Sequence, residues 1–164
     1  MRYLLEIAKN AFAFRSVKKW DILLTILLTF IVASFCTFFV NQLIQWFPQE
    51  VPQSLKQVND AIKASDGPVL WSFLFGVCIF APVFEEIVFR GIMWWGIEGV
   101  ISTRAAFVVT TVLFALAHID PIHIVAVFPL GVLFGFLRWK TGSIWLPLLS
   151  HFLNNTLASL SLVV

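Results

Sequence analysis

Residues 22–47 run without a single charged side chain, and this stretch narrows the possible folds more than any other feature. As a helix rising ~1.5 Å per residue, it is long enough to cross a hydrocarbon core of ~30 Å. Backbone amides in lipid have no water to bond, so a spanning segment satisfies them as a helix or in a closed barrel. Further apolar runs cover residues 68–84 (continuing through a charged patch to about 100), 104–119, 121–137 and 143–164. None shows the alternation of a barrel strand. A water-soluble fold is excluded by amount: 60% of the 164 residues are hydrophobic and 12% charged, against ~45–50% and ~25% in soluble domains, and a domain this size cannot hide the excess. The sequence therefore predicts an all-α, polytopic transmembrane helix bundle with about five membrane segments, as one domain over residues 21–164.

A basic amphipathic segment, residues 1–20, precedes the bundle. It holds Arg2, Lys9, Arg15, Lys18 and Lys19 against Glu6, as expected for a stretch lying on an anionic cytoplasmic membrane face. It is too short, and too close to an apolar run, for a nucleic-acid surface. The long first apolar run, with no small-x-small site after it, reads as a retained anchor and not a cleaved signal. Lys and Arg positions then orient the chain. The N-terminal cluster, Arg104, Arg138 and Lys140 fall on the cytoplasmic side, and the polar loop 48–67 falls on the other. This gives a multi-pass cell-membrane protein with its N-terminus in the cytoplasm. Cys36 and Cys78 lie within apolar runs and read as buried free thiols.

Ionisable groups within such segments are costly, at ~2.5–3.5 kcal/mol each near the centre of a membrane helix. Yet the second segment contains Glu85, Glu86 and Arg90, the third ends in Phe114-Ala115-Leu116-Ala117-His118, and the fifth contains His151, Asn154 and Asn155. Glu86 and Arg90, four apart, share a helix face and can pair. Glu85 lies ~100° round the helix and is free to face a cavity. His151 and Asn155 share a face, from which Asn154 is turned, so Asn154 reads as packing. At ~1.5 Å per residue, Glu85 and His118 both lie roughly 20 Å from the turn near residues 100–104, and His151 roughly 12 Å from Gly142. Three helices can thus bring carboxylates, imidazoles and an amide to one place. A glutamate held away from bulk water can take a proton from a water attacking a carbonyl, and imidazole or amide donors can hold the oxyanion that forms. No Gly-x-Ser-x-Gly, His-Glu-x-x-His or Gly-rich phosphate loop occurs. His123 reads as structural, and Phe114 as core or lipid-facing.

Glu85-Glu86-x-x-x-Arg90, Phe114-x-x-x-His118 and His151-x-x-x-Asn155, in that order, resemble the three signatures of the CAAX-protease and bacteriocin-processing (CPBP, or Abi) intramembrane proteases. The resemblance covers roughly residues 69–160, the motif-bearing core. It implies an intramembrane endopeptidase, with Glu85 as the base that activates water and His118 holding or polarising that water. It further implies that His151 and Asn155 line the oxyanion site while Glu86 and Arg90 support it. It also implies a peptide or membrane-protein substrate within the lipid bilayer, and links many bacterial members to bacteriocin maturation or immunity. No cofactor is expected, although Glu85, His118 and His151 could hold zinc with one open position. Two other functions fit the same residues. One is a non-catalytic immunity or scaffold protein that binds a peptide or a membrane partner. The other is a small transporter or proton relay, which the lack of an internal repeat disfavours.

Overall fold

The computed structural model describes residues 13–46, 60, 64 and 67–163, with side chains to residue 160. Among them it is helical, without strands. In chain order the helices are α1 (Lys19–Trp46), α2 (Pro68–Val100), α3 (Thr103–Leu116), α4 (Pro121–Thr141) and α5 (Trp145–Val163). They follow the expected apolar segments closely. Helices α1, α2 and α4 are long and apolar enough to cross a membrane, and α3 is a shorter apolar helix. Most of the basic N-terminal segment and nearly all of the polar 48–67 loop lie outside the described residues.

Helix ends follow local chemistry. The Ser102 hydroxyl caps α3 by accepting from Ala105 N at 3.2 Å, and Asp120 caps α4 by accepting from His123 N at 2.8 Å, with Pro121 at the first helical position. Gly142, with φ of 63°, closes α4 in the left-handed conformation. Helix α3 was expected to reach residue 119 but stops at Leu116. The reason is the tight Ala117–Asp120 turn, in which Asp120 N bonds His118 O at 2.6 Å and Ile119 takes a φ of 63°.

Cross-helix contacts fix the arrangement. Thr29 Oγ1 lies 2.6 Å from Ser150 Oγ, which joins α1 to α5. Asn155 bonds Val77 while His151 bonds Glu86, so α2 and α5 run antiparallel. Lys140 reaches Asp21 at 3.6 Å, pairing the end of α4 with the start of α1. Helices α3 and α4 approach closely at Gly131 and Gly135, where an added Cβ would come within 3.0 Å and 2.9 Å of Phe114 and Phe107. The core gathers Phe114, Leu130, Phe134, Leu137 and Leu146 between α3, α4 and α5. The outer surface is apolar: Leu23, Leu27, Phe30, Phe35 and Phe38 of α1 stand exposed. Lipid, not water, suits such a face. Tryptophans collect at the two ends of the bundle, Trp20, Trp94, Trp95, Trp139 and Trp145 at one and Trp46 and Trp71 at the other, in the manner of interfacial belts.

One consequence positions the site. With 14 residues, α3 spans only ~21 Å, less than the ~30 Å core. His118 sits in the turn that follows this short helix, beside the start of α4.

Candidate active site

Helix α2 changes pitch around its charged residues. An α-helical turn, Ala81–Glu86, sits between two π-helical stretches, Gly76–Phe80 and Ile87–Met93. Such wide turns recur at functional sites. The motif residues then meet. Arg90 Nη1 lies 3.3 Å from Glu86 Oε1, and both side chains are fully buried. The same Glu86 oxygen accepts from His151 Nδ1 at 3.0 Å. The other ring nitrogen, Nε2, faces Glu85 Oε2 at 3.8 Å. His151 is thus flanked by two carboxylates, one completely buried and one 27% exposed.

A carboxylate or a carbonyl oxygen only accepts, so these contacts assign the ring protons. His151 donates from Nδ1 to Glu86. His118 donates from Nδ1 to Phe114 O at 2.9 Å. In both rings Nε2 is the nitrogen left for chemistry. Arg90 is held further by Gly131 O, which accepts from Nη2 at 3.0 Å, and by the Phe114 ring, 4.3 Å below its guanidinium carbon. The buried Glu85 Oε2 and Glu86 Oε2 have no hydrogen-bond partner among the described residues; polar atoms in that condition are uncommon in folded proteins.

The side chains surround a cavity of about 240 Å³ lined by Glu85, His118, His151 and Asn155, among others. At ~30 Å³ of liquid volume per water, that is room for several waters or for a stretch of peptide. Asn155 donates from Nδ2 to Val77 O at 2.9 Å, which fixes its amide while one N–H remains. Glu85, His118, His151 and Asn155 are therefore brought to one cavity, and Glu86 and Arg90 lie behind it.

Three side chains play a larger part than the sequence analysis gave them. Phe114 is buried and meets His118, His151 and Arg90 with its ring. His123 packs edge-on against His118, with centroids 4.7 Å apart, and lines the cavity. Asn154 also lines it and donates to Asn155 Oδ1 at 3.2 Å. The spacing of His123 from His118 hints at a pair only if a turn is placed between them. Among the described residues no group of three His, Cys, Asp or Glu is placed to hold a metal ion.

Residues 67–157, more than half of the chain, match the family described as type II CAAX prenyl endopeptidase Rce1-like. A protein of Bacillus subtilis (strain 168) named "Putative membrane peptidase YdiL" is 28% identical over 104 residues, covering 63% of this chain and 41% of that protein. The "Membrane-embedded CAAX protease MroQ" of Staphylococcus aureus (strain USA300) is 35% identical over 89 residues, covering 51% of this chain and 36% of that protein. The matched regions thus span well under half of each relative. No solved structure matches the chain.

Proposed function

Because this chain belongs to the type II CAAX prenyl endopeptidase Rce1-like family, we propose that it hydrolyses peptide bonds within the membrane, with Glu85 as the base. The observation that carries the proposal is the shared cavity: one partly exposed carboxylate, two imidazoles presenting Nε2 and a fixed carboxamide face the same space.

Glu85 takes a proton from a water molecule held beside His118, and the water oxygen attacks the carbonyl carbon of the scissile bond. The electron pair of that carbonyl moves to its oxygen. His151, through Nε2–H when both ring nitrogens carry protons, and the remaining N–H of Asn155 donate to the oxyanion. Glu86 keeps the ring oriented and balances its charge. As the C–N bond breaks, Glu85 returns the proton to the leaving amine, which yields a carboxylic acid and an amine. Arg90 holds Glu86 and touches no reacting atom, so both are positioning residues. No step as drawn uses a metal. The substrate on this reading is a peptide or membrane protein entering from the bilayer of a cell membrane.

The test is cleavage of a quenched peptide library by the purified full chain in liposomes. Glu85→Gln and His118→Ala should each lower turnover by about 10²-fold or more, the usual weight of a general base, at unchanged expression and melting temperature. Parent-like cleavage by both variants would remove the assigned roles. Peptide binding that persists in Glu85→Ala, with no turnover by the parent, would favour a non-catalytic immunity or scaffold protein.

A further inference from the structure

A second cavity, of about 600 Å³, opens at the end of the bundle where α2 passes into α3 and α4 into α5. It shares no lining residue with the candidate active site. Its walls carry Arg15, Arg138 and Lys140 beside the rings of Trp94, Trp95 and Trp139. Of the residues lining it, Glu98 alone is acidic, and Glu98 accepts from Thr103 Oγ1 at 2.7 Å.

Arg138 is the fixed part of this arrangement. It is only 5% exposed. Its Nε donates to Arg90 O at 3.0 Å, and its guanidinium carbon stands 5.5 Å from the centre of the Trp94 ring. Among the described residues no carboxylate forms an ion pair with Arg138 or with Arg15. This guanidinium is held by a carbonyl and a ring face; the charge of Glu98 acts on it without a direct ion pair and that of Arg15 opposes it, so its lost hydration is offset only in part. Arg15 lies against Gly142, where an added Cβ would stand 3.0 Å from its Nη1. The left-handed glycine that ends α4 thereby leaves space for a second guanidinium at the same opening. The charges do not cancel. Arg15, Arg138 and Lys140 bring three positive charges to the lining and Glu98 returns one, an excess that suits an anion; Lys140 also lies 3.6 Å from Asp21, which is outside the lining.

We propose that this cavity binds the phosphodiester of an anionic membrane lipid. The guanidiniums of Arg15 and Arg138 donate to its oxygens, Lys140 stands at the rim, and the tryptophans pack at the glycerol level, where such rings favour the interface. A volume of 600 Å³ lies within the range of small-molecule sites. The cavity opens where Trp20 and Trp145 mark the same belt, so a headgroup reaches it from the membrane surface.

The test uses the full chain in mild detergent. Phosphatidylglycerol, phosphatidylcholine and inorganic phosphate are titrated separately, with melting temperature and equilibrium binding as readouts. Phosphatidylglycerol should bind at least about 10-fold more tightly than phosphatidylcholine and raise the melting temperature. Arg15→Gln and Lys140→Gln should each weaken phosphatidylglycerol binding about fivefold, the weight of one basic contact at a membrane surface. These exposed positions carry the test, because Arg138→Gln also breaks a bond to the α2 backbone. Lys18→Gln and Lys19→Gln, at the same end but outside the cavity, should leave binding unchanged. Equal losses at all four positions would overturn the site in favour of diffuse surface charge. Equal protection by inorganic phosphate would overturn the lipid assignment. Since the readout is binding, failure here would leave the hydrolytic reading untouched.

Discussion

Glu86 should matter more for folding than for chemistry, and Glu85 the reverse. In Glu86→Ala the Arg90 guanidinium, fully buried, loses the carboxylate 3.3 Å away. Removing one member of a buried pair costs about 3–5 kcal/mol, because the survivor is left charged and dry. Arg90 retains Gly131 O at 3.0 Å and the Phe114 ring at 4.3 Å, which favours the lower figure. His151 Nδ1 loses its acceptor as well, at about 1 kcal/mol. The expected loss is therefore about 4 kcal/mol, near 10³-fold in the folding equilibrium. Arg90→Met should be similarly harmful, since it strands Glu86.

The double variant Glu86→Ala/Arg90→Met removes both charges and should be less destabilised than the sum of the singles by at least about 1.5 kcal/mol. Reversible unfolding in mixed micelles gives all four values of the cycle. Glu85→Ala, at a side chain that is 27% exposed and lies against His151, should stay within about 1 kcal/mol of the parent. A Glu86→Ala protein as stable as the parent, or a strictly additive cycle, would refute the view that the second glutamate is held in place to neutralise a buried arginine.

Gly135→Ala should destabilise the bundle by about 1–3 kcal/mol, because its Cβ would come within 2.9 Å of the Phe107 ring and force α3 and α4 apart; thermal unfolding measures this. Ile119→Gly should leave stability unchanged or raise it by up to about 1 kcal/mol in the same assay, since a β-branched residue now holds a φ of 63°. Phe114→Leu should lower the melting temperature and also slow cleavage, because one ring supports Arg90, His118 and His151; a variant that melts early yet cleaves at the parent rate would make the ring a packing element only.

The placement of the helices was legible because charge is expensive in lipid. Uncharged runs mark what can sit there, and the bounds of α1, α2, α4 and α5 follow from them within a few residues. The candidate site residues stood out in the sequence for the converse reason: Glu85, Glu86, Arg90, His118, His151 and Asn155 stand where an idle polar group would be costly, and the fold gathers them. One partner was legible as well, since Glu86 and Arg90 pair as their four-residue spacing predicts; what spacing along one helix does not show is that His151 of α5 stands between the two glutamates. The end of α3 was hidden too, since nothing in Ile119 announces a positive φ. That early ending brings His123 beside His118, while Asn154 of α5 lines the cavity next to Asn155, and neither stands out by spacing alone. Arg138 follows the same logic. As a basic residue in the last turn of a membrane helix it reads as a topology marker, but a marker has no need to be buried, and this one is 5% exposed with its Nε on the backbone of Arg90. Arg90 in turn holds Glu86, and Glu86 holds His151. Hydrogen bonds and one residue's own backbone thus connect the basic end of the bundle to the imidazole of the cavity.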